Sequence, residues 1–186
     1  MSLFKAVAVL GAISGAMAQA QGQIPCTDAF RSKELNGVAP AFSDQTPGAT
    51  AAFLQQLPLA PDATLTLYIN GAPGIEVAPD AALVRDFALG VRQVFYYVYP
   101  TSDPPTTNYA NGTSHTELEI ELGALHDIAL PVDIHAGMNF NYDTSNCLIN
   151  SLQGFLTIPS EVDGQPVSVA QITDDLLAAG YAGSLS

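Results

Sequence analysis

Histidine and carboxylate side chains gather in one part of this 186-residue chain. In Ser114 to Leu122, "SHTELEIEL", His115, Glu117, Glu119 and Glu121 fall on alternate residues, with Thr116, Leu118, Ile120 and Leu122 between them. Side chains on a β-strand alternate between faces, so a strand here sets one imidazole and three carboxylates in a single row. His126, Asp127, Asp133 and His135 follow closely. The chemistry open to this set is divalent-cation binding by His115, Glu117 and Glu119, joined by His126 and His135. Zinc requires about three converging ligands, so a partner strand would have to supply part of the site. The same register gives Leu118, Ile120 and Leu122 an apolar stripe, as a strand wet on one side requires. Charged side chains sit outside as a rule, so the row is expected to be a solvated face that holds no metal.

Other chemistries find less support. There is no Gly-x-Ser-x-Gly, and Ser114 beside His115 has no placed carboxylate partner. No spacing among the 18 acidic residues singles out a pair for glycoside hydrolysis. Phosphate loops and nucleotide fingerprints are absent, so no cofactor and no catalytic residue is assigned.

The elements that must position these residues read as a mixture of helices and strands. "TAAFLQQL" (Thr50 to Leu57) predicts a short helix, and "TLTLYI" (Thr64 to Ile69) a strand. Asp80 stands as an N-cap before Leu83, Val84, Phe87, Ala88 and Val91 at helical spacing. "VFYYVY" (Val94 to Tyr99) is dense in aromatic and branched residues and stops at Pro100, as a strand does. "ALPVDIHAG", "MNFNY" and "CLINSLQGFLTIP" predict further strands of one antiparallel sheet. Ser168 caps a last helix bearing Val169, Ile172, Leu176 and Leu177, with Gly180 as its stop. Helices early and strands late predict an α+β fold.

The chain's ends and its charge bound its setting. Residues 1–18 hold Lys5, a short apolar run and Ala16-Met17-Ala18, the order of a secretory signal peptide. Residues 19–48 read as an irregular N-terminal arm, 49–160 as the domain, and 161–186 as a C-terminal helix and tail. Losing Lys5 leaves four basic residues against eighteen acidic ones. Such a surface excludes nucleic acid as a partner, and no later stretch is long enough for stable membrane insertion. In an oxidising compartment, Cys26 and Cys147 are expected to pair as one disulfide. Asn111-Gly112-Thr113 is an N-glycosylation sequon in a turn-like setting.

Three segments together resemble the fasciclin-like (FAS1-type) adhesion family. "VFYYVYP" is similar to that family's Leu-Leu-Tyr-His-Val-Val-Pro strand, with Tyr96 at the tyrosine and Tyr97 at the histidine. "SNCLINSLQGFLTIP" resembles its closing run, with Asn146, Ile149, Gly154, Leu156 and Pro159 in register. "TLYINGAPGIE" resembles a worn early segment, and the three cover about residues 50–159. Cys147, Asn150 and Gln153 depart from the family's glycine, histidine and aspartate. The resemblance implies a β-wedge with N-terminal helices on an antiparallel sheet. It also implies a secreted, non-catalytic module acting in cell adhesion or in cell-wall or extracellular-matrix association. Its partner would be a protein or polysaccharide of a cell surface, wall or matrix, and no binding residue carries over. Two alternatives stand beside it. One is an extracellular metal-dependent enzyme using the His115–His135 region; the other is a secreted host-interaction protein. The "VAQITDDLLAAGYAGSL" tail reads either as a helix docked on the domain or as the start of a second repeat.

Overall fold

The computed structural model describes residues 26–124 and 128–183, and the side chains of 124, 128 and 129 are outside that description. The expected signal peptide of residues 1–18 and the candidate ligand His126 therefore lie outside the described residues. Three short helices come first: α1 (Asp28–Leu35), α2 (Val38–Ser43) and α3 (Ala49–Gln56). Strands β1 (Leu59–Ile69) and β2 (Ile75–Ala78) lead to helix α4 (Ala81–Val91). Then come β3 (Phe95–Pro100), β4 (Thr106–Asn108), β5 (Thr113–Ala124), β6 (Ile128–Tyr142) and β7 (Ile149–Thr157). A small hairpin, β8 (Glu161–Val162) with β9 (Gln165–Pro166), precedes helix α5 (Val169–Gly183).

One seven-stranded sheet organises the domain, in the order β2-β1-β7-β6-β5-β3, with β4 pairing β5 off that path. Neighbours are antiparallel except β1 beside β7, which run parallel. The pairing slips between Leu59 and Thr64, Phe95 and Tyr97, Glu121 and Gly123, and Asn141 and Tyr142. Such irregularities bend a strand and increase its twist. They break long strands, the longest being β6 with 15 residues. The inner face carries Leu65, Leu67, Val98, Leu118, Ile120, Ile134, Ala136, Phe140 and Leu152, all buried. The helices close over this face.

The α+β expectation holds, and most expected elements lie where the periodicity put them. Asp80 is the N-cap of α4, its carboxylate accepting from Leu83 N at 2.9 Å. Ser168 Oγ likewise accepts from Gln171 N at 3.2 Å at the start of α5. Two expectations are corrected. The arm of 19–48 is not irregular throughout, because α1 and α2 lie in it and bury Leu35, Ala39 and Phe42. Gly180 does not stop α5; it sits inside the helix where a Cβ would collide with the Phe87 ring.

The fasciclin wedge is also corrected. β3 and β7 share a sheet, but β5 and β6 separate them, so the two motif segments never pair. Their residues do other work. Tyr97 is 47% exposed on the outer face, its ring 6.0 Å from Tyr99, and Tyr96 is half-buried. Asn146 is exposed in a turn, its side-chain oxygen accepting from Leu148 N at 2.9 Å. Ile149 is wholly buried, and Gly154 is small because Leu67 and Met138 lie against it. Pro159 only follows the end of β7.

Cys26 and Cys147 form a disulfide with Cα atoms 4.9 Å apart across a sequence separation of 121. It fastens the approach to α1 to the turn before β7. Replacing both by serine is expected to destabilise by about 5 kcal/mol, the chain-entropy value for a loop of this size. Urea unfolding of the variant, and of the parent with and without reductant, measures it.

The turn that presents Cys147 is held by Asp143. Its carboxylate accepts from Ser145 Oγ (2.6 Å), Ser145 N (2.8 Å) and Asn146 Nδ2 (3.1 Å). The Ser145 hydrogen bonds hold its pKa below the ordinary carboxylate value. Asp44, bonded by Thr46 N, is lowered in the same way. A depressed folded pKa contributes stability that is present above the unfolded value of about 3.9 and lost as pH falls through the folded one. The double variant Asp44→Asn, Asp143→Asn is therefore expected to lose less stability below pH 4 than the parent, as read by thermal melts from pH 7 to 2.

Candidate functional site

The outer-face row forms as its register predicts. His115, Glu117 and Glu119 stand opposite Asn139, Gly137 and His135 of β6. Glu117 sits between two imidazoles: Oε1 is 2.6 Å from His115 Nε2, and Oε2 is 2.7 Å from His135 Nε2 but off hydrogen-bond alignment. His115 Nδ1 is 2.7 Å from Asn139 Oδ1, and Glu119 is 3.5 Å from His135 Nδ1. These are pairwise contacts. Among the described residues, no group of three or more His, Cys, Asp or Glu is arranged to hold a metal ion. His126, the fifth candidate ligand of the metal-dependent reading, lies outside the described residues. Asn111 is exposed beside Gly112, whose φ is +90°, and its side chain accepts from Thr113 N at 3.0 Å.

The opposite face holds the larger feature. Between the inner face of the sheet and α2 to α5 lies a cavity of about 130 Å³. Its floor is Leu65, Leu67, Leu118, Ile120, Ala136 and Met138 from the strands. Its roof is Phe42, Phe53, Val84, Phe87, Val91 and Leu176 from the helices. Every described lining residue is apolar. Cavity space costs about 24 cal/mol per Å³ in lost contacts, so leaving this one unfilled costs about 3 kcal/mol. Interiors of this kind close-pack by default. The walls present only methyl, methylene, thioether and aromatic groups.

Two arginines hold the roof in place. Arg85 on α4 donates to Leu54 O (2.9 Å) and Leu57 O (3.3 Å), carbonyls at the end of α3. Arg92 is buried and donates to Asp44 O (2.8 Å), Phe95 O (3.3 Å) and Thr50 Oγ1 (3.3 Å). Thr50 in turn donates to Ala41 O at 2.7 Å. Burial lowers the Arg92 pKa to about 10, and the nearby Asp44 charge opposes that shift. Arg31 serves the far end of the sheet, donating to Thr113 O and Tyr109 O. Replacing Arg92 by methionine keeps much of the buried volume but orphans these acceptors. It is expected to destabilise by about 3 kcal/mol in chemical unfolding, the range for buried acceptors losing a charged donor.

Sequence reasoning found the outer row and missed the cavity. None of its lining residues is unusual in type. No family model matches the chain, and no curated protein does. Solved structures do resemble it.

A cystatin-like-fold protein of unknown function from Methylobium petroleophilum is 12% identical, over 74% of this chain and 82% of that one, at TM-score 0.48. The BvnE pinacolase of Penicillium brevicompactum is 9% identical, over 82% and 95%, at 0.44. An NTF2-like protein of unknown function from Cytophaga hutchinsonii is 10% identical, over 67% and 97%, at 0.41. They are a cystatin-like-fold protein, an enzyme and an NTF2-like protein, and none is a fasciclin domain. The expectation of a non-catalytic adhesion module of cell wall or matrix is corrected accordingly. At TM-scores below 0.5 the likeness carries nothing further, and the functional reading rests on this chain's own cavity.

Proposed function

We propose that the chain takes a hydrophobic small molecule, as ligand or substrate, into the cavity between its sheet and helices. The observation that carries this is the 130 Å³ of unfilled space with wholly apolar walls. A guest supplies the missing contacts and is held out of water, so burial of its surface drives binding. Among the described residues, the wall offers no acid, base or nucleophile. A substrate there would be selected by shape and kept dry, which suits rearrangement of its own skeleton better than steps needing a protein base. The leader-like residues 1–18 support a site of action outside the cell.

The test is displacement of an environment-sensitive apolar dye, followed by direct calorimetry with toluene. Toluene is expected to bind with a Kd of about 0.1–1 mM, equivalent to roughly 4–5.5 kcal/mol and well under the limit for so small a ligand. Absence of both dye uptake and toluene binding at saturation would overturn the reading.

A further inference from the structure

A second hollow of about 140 Å³ lies between the β5–β6 end of the sheet and α5, walled by Leu122, Leu130, Val132, Ile172 and Leu176, with Asp175 at its edge. Leu176 is the one residue that lines both this hollow and the inner cavity. Ile172, Asp175 and Leu176 fall at i, i+3 and i+4 on α5, so one stripe of the helix serves both spaces. Among the described residues, Asp175 is the only charged one lining either of them. Its Oδ1 accepts from Gln171 Nε2 at 2.8 Å.

We propose that the two hollows are one binding path and that its guest is amphipathic, an apolar body with a protonated amine head. The body occupies the inner cavity, the chain passes beside Leu176, and the ammonium pairs with Asp175. This rests on the cavity reading above and adds to it a polarity and a head group. Three observations favour a cation over an anion or a neutral head. Among the described residues, the single ionised group on the path is a carboxylate. The chain carries 18 acidic residues against 5 basic ones, so its field draws cations and repels carboxylates. Of the basic residues described, Arg31, Arg85 and Arg92 are already bonded to carbonyl oxygens, which leaves no arginine facing the path. A charge-assisted N–H to carboxylate bond is also roughly twice as strong as a neutral one.

The experiment compares n-octylamine, n-octanol and n-octanoate by titration calorimetry at pH 7, on the parent, Asp175→Asn and Asp174→Asn. Asp174 is the neighbouring exposed carboxylate on α5 that lines neither hollow, so it matches the change in net charge. Octylamine is expected to bind at least tenfold tighter than octanol, with octanoate weakest. Asp175→Asn should erase the amine preference while leaving octanol unchanged, and Asp174→Asn should keep it. Equal binding of amine and alcohol, or a preference that both variants reduce alike, overturns the head-group assignment and leaves the cavity reading standing. Failure of all three compounds to bind overturns both.

Discussion

Ala136→Leu is expected to abolish toluene binding, by at least about 100-fold, while raising thermal stability. The two effects have one cause. Ala136 is fully buried on β6, and its methyl faces the cavity between Leu118 and Leu156, the residues paired with it on β5 and β7. A leucine there carries three more carbons into space that nothing fills. A guest then has to displace a side chain, and a 100-fold loss corresponds to about 2.7 kcal/mol. Without a guest the same carbons become buried, at about 0.8 kcal/mol each and about 2 kcal/mol in all if no strain results. For a chain of this size that is a rise in Tm of roughly 5 °C. Ordinary overpacking moves stability the other way, by about 1–3 kcal/mol. The sign of the Tm change therefore tells an unfilled cavity from a filled core. Calorimetry for binding and differential scanning for Tm read the two effects on the same sample.

Gly90→Ala carries the second large effect, and its sign is opposite to helix propensity. Alanine in a helix interior is favoured over glycine by about 1 kcal/mol. Here α4 and α5 touch backbone to backbone. A Cβ on Gly90 would collide with the carbonyl oxygens of Ala179 and Gly180, and one on Gly183 with Asp86 O. Backbone on both sides cannot swing away as a side-chain tip would. α5 must shift outward, loosening Leu176 from the cavity wall and the Tyr181 ring from its edge-on contact with Phe87, 5.7 Å between centroids. The expected net result is a loss of about 2–3 kcal/mol, or a Tm lower by roughly 5–10 °C. Chymotrypsin should also cut faster at Leu177 and Tyr181. A Tm that rises instead would mean the helices separate without penalty.

Much of the framework was legible from residue patterns. The Asp80 cap and the apolar stripe behind it specified α4, and the strict alternation of "SHTELEIEL" specified both the strand and its wet side. The arm was misread because α1 and α2 are short and carry Pro40, Gly37 and several polar residues, so no periodic run announces them. The three segments read as fasciclin motifs are β-strands whose aromatic, branched and glycine residues answer to strand packing: Gly154 yields to Leu67 and Met138, and Tyr97 lies tilted against Tyr99 on the exposed face. The cavity could not be read at all. Periodicity tells which residues face inward, but whether inward-facing residues meet depends on sheet curvature, set by bulges that no residue type marks. Leu67 and Val84 look the same in a filled core and in a hollow one.

The most direct measurement is a crystal structure of the protein under xenon pressure. Xenon enters dry apolar cavities and ignores polar, hydrated ones. The account predicts xenon density inside the wall formed by Leu67, Val84, Phe87, Ile120 and Met138, with no ordered water there. A wall closed to van der Waals contact, or a chain of ordered waters in its place, would contradict it.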